Sequence, residues 1–140
     1  MTGQQKITID NKQYNLEDFN ENALAQLGNL RFVDEQLQLL TNQSALAETA
    51  KVAYSRVLAT NLPEKKAAAN KKKDIITIDG EKYSLEDFNE QGKIQLLNIQ
   101  FADQELARLK NQQAVMQTAR AQYARILSEE VSKLAPVKPQ

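Results

Sequence analysis

Residues 7–62 return as residues 76–131, every position displaced by 69, without a gap and with 26 of the 56 aligned positions identical. Ile7-Thr8-Ile9-Asp10 comes back as Ile76-Thr77-Ile78-Asp79, and Leu16-Glu17-Asp18-Phe19-Asn20-Glu21 as Leu85-Glu86-Asp87-Phe88-Asn89-Glu90. Asn42-Gln43 and Thr49-Ala50 recur as Asn111-Gln112 and Thr118-Ala119. A duplication this close requires one local structure for both copies. The folding problem therefore reduces to one module and to how two of them bury their apolar faces.

Each copy opens with a period-2 alternation of apolar and polar residues, which predicts a pair of short strands. Asp79-Gly80 is a hairpin signal because both residues tolerate positive φ, and Asp10-Asn11 is its weaker counterpart. Centring the turn on Asp79-Gly80 or on Gly80-Glu81 leaves parity unchanged, so Ile76, Ile78, Tyr83 and Leu85 share a face. A lone two-stranded hairpin is marginal in water, and that face must pack on something.

The following helix is the obvious partner. Asn15 or Ser84, with Asp18 or Asp87 three residues on, reads as a helix start, and Asn20 or Asn89 offers a second cap. Helix is expected from about 21 to 61 and from 90 to 131, interrupted only by Gly28 and Gly92. About 40 helical residues would span roughly 60 Å, too far for one hairpin to cover. An apolar stripe runs through Leu30, Val33, Leu37, Leu40, Tyr54 and Leu58, and again through Ile99, Leu106, Leu109, Met116, Tyr123 and Leu127. These twelve side chains are the expected helix–helix interface. The stripe begins at heptad spacing and drifts, as an ordinary helix does in a bundle. Ser44 and Gln113 fall mid-stripe and either form a polar layer or face water.

The fold expected is mainly α with a small β component (α+β). Two tandem hairpin-plus-long-helix modules would form an internal pseudo-dimer, a helical bundle of coiled-coil character. Module 1 covers residues 1–62 and module 2 residues 75–132. A Lys/Ala-rich linker, mobile or weakly helical, fills 63–74, and 133–140 is a flexible tail that its two prolines should fray. Antiparallel helices are preferred, since a dozen linker residues close a short turn more easily than they run the length of a helix; parallel packing stays open.

Composition removes much chemistry. Lysine plus arginine and aspartate plus glutamate both number 18, and neither cysteine nor histidine occurs. Disulfides, thiolate nucleophiles, Cys/His zinc sites, haem ligation and imidazole catalysis are excluded together. No cofactor is expected. The carboxylates Glu17, Asp18 and Glu21, with Glu86, Asp87 and Glu90, are the nearest approach to a catalytic or metal-holding cluster. Acids in a first helical turn chiefly complement the helix dipole, so no catalytic or metal site is assigned. Tyr54 and Tyr123 read as core rather than as stacking platforms, and Lys51 and Arg120 lie beside the stripe, where their stems can cover it. Lys65, Lys66, Lys71, Lys72 and Lys73 form the one strong basic cluster and are the candidate nucleic-acid contacts. No apolar run approaches the roughly 20 residues of a membrane span. Met1-Thr2-Gly3-Gln4-Gln5 lacks the apolar segment of a signal peptide, so the expected compartment is the cytoplasm.

The module Ile-Thr-Ile-Asp-Gly-x-x-Tyr-x-Leu-Glu-Asp, then Gln-Leu-x-Asn-x-x-Phe-x-Asp, Asn-Gln, Thr-Ala-Arg and Tyr resembles a family of short phage and bacterial proteins of unknown function. Copy two carries it from Ile76 to Gly80, then at Tyr83, Leu85 to Asp87, Gln95, Leu96, Asn98, Phe101, Asp103, Asn111, Gln112, Thr118 to Arg120 and Tyr123. Copy one departs at Asn11 and Lys51. The resemblance covers about 110 of the 140 residues. It implies self-association of single modules and a phage-encoded accessory or virion-associated role; it brings no activity and no catalytic residues. The expectation is a non-enzymatic interaction protein, accessory, host-targeting or scaffolding, acting through paired helices and hairpins on a protein partner. The alternatives are a nucleic-acid-associated protein using the basic linker, or a structural virion component.

Overall fold

The computed structural model describes residues 5–138. Met1 to Gln4, on which the reading of the chain's opening rests, and Pro139 and Gln140 of the expected tail lie outside them. Strands β1 (Lys6–Ile9) and β2 (Lys12–Asn15) precede helix α1 (Glu21–Ala59); β3 (Ile75–Ile78) and β4 (Glu81–Ser84) precede α2 (Glu90–Val131). Each hairpin is antiparallel, with Ile7 opposite Tyr14 and Ile76 opposite Tyr83. Both turns are two-residue loops with positive φ at each centre: 52° and 66° at Asp10 and Asn11, 50° and 81° at Asp79 and Gly80. That is the mirror-image turn whose twist matches paired strands, and it centres on Asp79-Gly80.

Asn15 and Ser84 do not start the long helices. Each begins a single 3-10 turn, Leu16–Asp18 or Leu85–Asp87, and neither side chain caps it. The working caps are Asn20 and Asn89. Their side-chain oxygens accept the N–H of Ala23 at 2.8 Å and of Gly92 at 2.7 Å, satisfying a donor that the first turn leaves without a partner.

Two compact units make up the chain, and they do not coincide with the two copies. One runs to Thr41 and resumes at Asn111; the other is Asn42–Lys110. The breaks after Thr41 and after Lys110 are 69 residues apart, the repeat offset, so each unit is the other's counterpart.

In the first unit, Tyr14 of the hairpin and Phe19, Ala23 and Leu27 cluster with Leu127 and Val131 from the end of α2. Ile7, Ile9, Leu16, Leu30 and Leu134 pack around them. Asn20 and Asn22 meet Glu130, while Asp34 meets Arg120. Partners in α2 fall as positions in α1 rise, so the paired helical segments run antiparallel. The tail is held as well as packed, because the Val137 N–H donates to the Gln13 carbonyl at 2.7 Å. That backbone bond and the packing of Leu134 tie down residues 134–137, where Pro136 argues for fraying.

In the second unit, Tyr83 and Phe88 cluster with Leu58, and Leu62, Ile78, Leu96 and Ile99 pack around them. Asn61 meets Asn89, and Lys51 meets Asp103, again antiparallel. Gly92 belongs here for want of space: an added Cβ would sit 3.1 Å from the Asn61 carbonyl oxygen and 3.0 Å from the Phe88 ring. The linker is irregular rather than helical. The Ala67 N–H donates to the Lys82 carbonyl at 2.8 Å and the Leu85 N–H to the Asp74 carbonyl at 2.8 Å, so the backbone serves the hairpin instead of its own helix.

Candidate interaction surface

All twelve side chains expected at the helix–helix interface are withdrawn from solvent. Val33, Leu40, Leu58, Leu109 and Leu127 are buried; Leu30, Leu37, Tyr54, Ile99, Leu106, Met116 and Tyr123 are half-buried. Ser44 and Gln113 are also half-buried.

Beside that seam lie ion pairs that sequence reading did not find. In the first unit Arg120 donates through Nε to Asp34 at 2.6 Å; in the second, Lys51 reaches Asp103 at 2.7 Å. Arg120 is the counterpart of Lys51 and Asp103 of Asp34, so the duplicated pair is exchanged between copies in each unit. Each carboxylate holds its cation's pKa above the ordinary value, chiefly through the hydrogen bond. Both pairs are substantially exposed and contribute register more than stability, about 0–1 kcal/mol each. A repeat search pairing positions i and j of one copy with their counterparts in the other would have found them.

Glu130 is the counterpart of Asn61 and accepts hydrogen bonds from Asn20 at 2.8 Å and Asn22 at 3.0 Å, with Lys133 at 3.4 Å. These donors, Asn20 first, lower its pKa from the ordinary carboxylate value. A depressed folded-state pKa gives stability that is present above the unfolded value and is lost as pH falls through the folded one. The melting temperature of the native protein should therefore exceed that of Glu130→Gln at neutral pH, and the gap should close in acid. A gap that stays constant across the carboxylate range would remove Glu130 from the account.

The acidic residues at the helix starts do not gather. Among the described residues no group of three or more acids lies in a metal-holding arrangement. Of the linker lysines, Lys66 reaches Glu81 at 3.0 Å, Lys71 reaches Glu86 at 2.9 Å and Lys65 lies 3.9 Å from Asp87. Lys72 and Lys73 are exposed. Three of the five lysines thus lie against acids of the second hairpin and of the 3-10 turn that follows it.

What sequence reading missed most is a second apolar series. Phe32 is 57 % exposed, Leu46 72 %, Phe101 70 % and Val115 67 %. Phe101 is the counterpart of Phe32 and Val115 of Leu46. Leu39 and Ile94 are exposed at the same seven-residue spacing. In the second unit this series borders a groove of about 340 Å³ between helices, where Leu46, Ala47, Ala50 and Tyr54 of α1 face Phe101 and Ala102 of α2. The signal was present as a heptad of Ala25, Phe32, Leu39 and Leu46 beside the buried stripe. Among the described residues no helix is long and apolar enough to cross a membrane. Comparison with family models, curated proteins and solved structures returned no match for this chain.

Proposed function

We propose that this protein is a non-enzymatic, two-site adaptor that binds an amphipathic helix of a partner protein against the exposed apolar residues of each unit, Phe32 with Val115 in the first and Phe101 with Leu46 in the second. The observation that carries the reading is the repetition of solvent-facing Phe and aliphatic residues, Phe32 with Phe101 and Leu46 with Val115, at equivalent positions. Scattered exposed hydrophobics need no explanation, but a series regenerated by duplication does. Ala47, Ala50 and Ala102 leave room for a third helix to approach closely, and the aromatic rings beside them are the side chains that dominate binding energy. Two linked copies raise the effective concentration for a two-fold or repeated target. We place the role in a phage-encoded accessory or host-targeting protein, as the resemblance read from the repeat would imply. Matched linker lysines make nucleic acid the poorer candidate.

Phe101→Asp and Phe32→Asp should each weaken retention of one stoichiometric partner from a bacterial extract by about tenfold or more, the worth of one buried phenylalanine. The double variant should abolish it, with circular dichroism unchanged because both rings are exposed. Retention should survive nuclease and high salt. Undiminished retention by the double variant, or nucleic acid as the retained species, would overturn the proposal.

A further inference from the structure

The two units differ at one place where the duplication should have made them alike. In the first, Ile7 and Leu16 pack against the cluster of Tyr14, Phe19 and Leu27. Their counterparts in the second, Ile76 and Leu85, instead line a cavity of about 670 Å³, and Leu85 is 37 % exposed. Leu96 and Leu97 complete the apolar wall, with Lys93 and Gln100 as polar members. Copy one has Leu24, Gly28 and Arg31 at the positions of Lys93, Leu97 and Gln100, so both the added lysine and the added leucine are specific to copy two.

The cavity falls within the roughly 300–1,000 Å³ typical of small-molecule sites, and its apolar wall is bordered by four charged side chains, Lys71, Asp74, Glu86 and Lys93. Its charges are unequally committed. Lys71 pairs with Glu86 at 2.9 Å, and the Asp74 carboxylate acts on Lys71 through its charge. Lys93 is half-buried at the wall, and none of the ion pairs of this unit takes up its ammonium. A cation over an aliphatic wall selects an amphipathic anion: an alkyl chain for Ile76, Leu85, Leu96 and Leu97, and a carboxylate for Lys93.

We infer that the second unit binds a medium-chain aliphatic carboxylate in the cavity between its hairpin and the start of α2, with Lys93 holding the carboxylate. The site is separate from the helical groove of the proposed adaptor, and either can fail without the other.

Calorimetric titration of the full chain with decanoate below its micelle concentration tests it, with decanol and decyltrimethylammonium as neutral and cationic probes of the same chain. Saturable one-site binding is expected for decanoate, weaker for decanol and weakest for the cation. Lys93→Leu, which installs the copy-one residue on a solvent-accessible position, should weaken decanoate about tenfold or more while leaving decanol nearly unchanged. Leu97→Glu should weaken both, and Lys72→Leu, outside the cavity, neither. No saturable decanoate binding in the native protein would overturn the inference. So would decanol binding as tightly as decanoate, or a Lys93→Leu variant with undiminished affinity.

Discussion

Residues 1–62 produced alone should form a dimer whose melting temperature rises with concentration, whereas the full chain should melt at a temperature independent of concentration. The reason lies in how the cores are shared. Copy one supplies Tyr14, Phe19, Ala23 and Leu27 to a cluster completed by Leu127 and Val131 of copy two, and copy two's Tyr83 and Phe88 are completed by Leu58 of copy one. A solitary copy has no side chains to close either cluster, and a hairpin on a single helix is too thin to bury its face. A second identical chain would supply the missing helical partners, though not the contacts of Leu134 and Val137, whose counterparts lie beyond residue 62. Leu58 is the counterpart of Leu127 and Leu62 of Val131, Lys51 can meet Asp34 as Arg120 does, and Asn61 can meet Asn20 as it meets Asn89. Joining the copies replaces a bimolecular step by one with an effective concentration on the order of millimolar. Relative to separate chains at about 1 μM, the linkage is worth about 4 kcal/mol. Sedimentation equilibrium with circular dichroism at several concentrations decides it, and a folded monomer would refute the shared-core arrangement.

The features legible in the sequence were those encoded by side-chain type at close range. Asp79-Gly80 marked the hairpin, and the alternation around Ile76 and Tyr83 said which side chains share a face, while the turn centre, and with it the register, stayed open between two choices. A run of helix formers broken only by Gly28, from the Asn20 cap to Pro63, sets α1 at Glu21–Ala59, close to the range of 21–61 expected. The buried stripe was legible because a 3.6-residue period survives even on long helices. Features that depended on how segments meet were not legible. Asn15 and Asn20 are both good caps, and only the strand pairing of Lys6 with Asn15 commits the first to the sheet and leaves the helix to the second. Backbone bonds such as that of Val137 to Gln13 leave no trace in residue type. The cavity beside Lys93 becomes visible only when the two units are compared. Leu24 and Lys93 both suit an exposed helical position, and nothing local says that Lys93 borders an opening.

Phe88→Ala should destabilise the protein far more than removal of either inter-helix ion pair, by about 3–5 kcal/mol against about 1 kcal/mol or less for Lys51→Ala. Phe88 is 3 % exposed and closes the 3-10 turn before α2, its N–H bonded to the Leu85 carbonyl. Its ring stands edge-on to Tyr83, centroids 6.1 Å apart at 70°, and lies against the space beside Gly92. Truncation would remove the apolar area of one of the largest side chains in this cluster and break the aromatic pair. It would also leave a void that Gly92, having no side chain, cannot fill. Leu58 and Leu96 could only partly collapse into it, since both are already fixed by packing on long helices. The Lys51–Asp103 pair, by contrast, exchanges a water-exposed contact for hydration at little cost. Urea denaturation followed by circular dichroism separates the two variants directly. A loss below about 1 kcal/mol for Phe88→Ala would mean that this cluster is not what holds the second unit together.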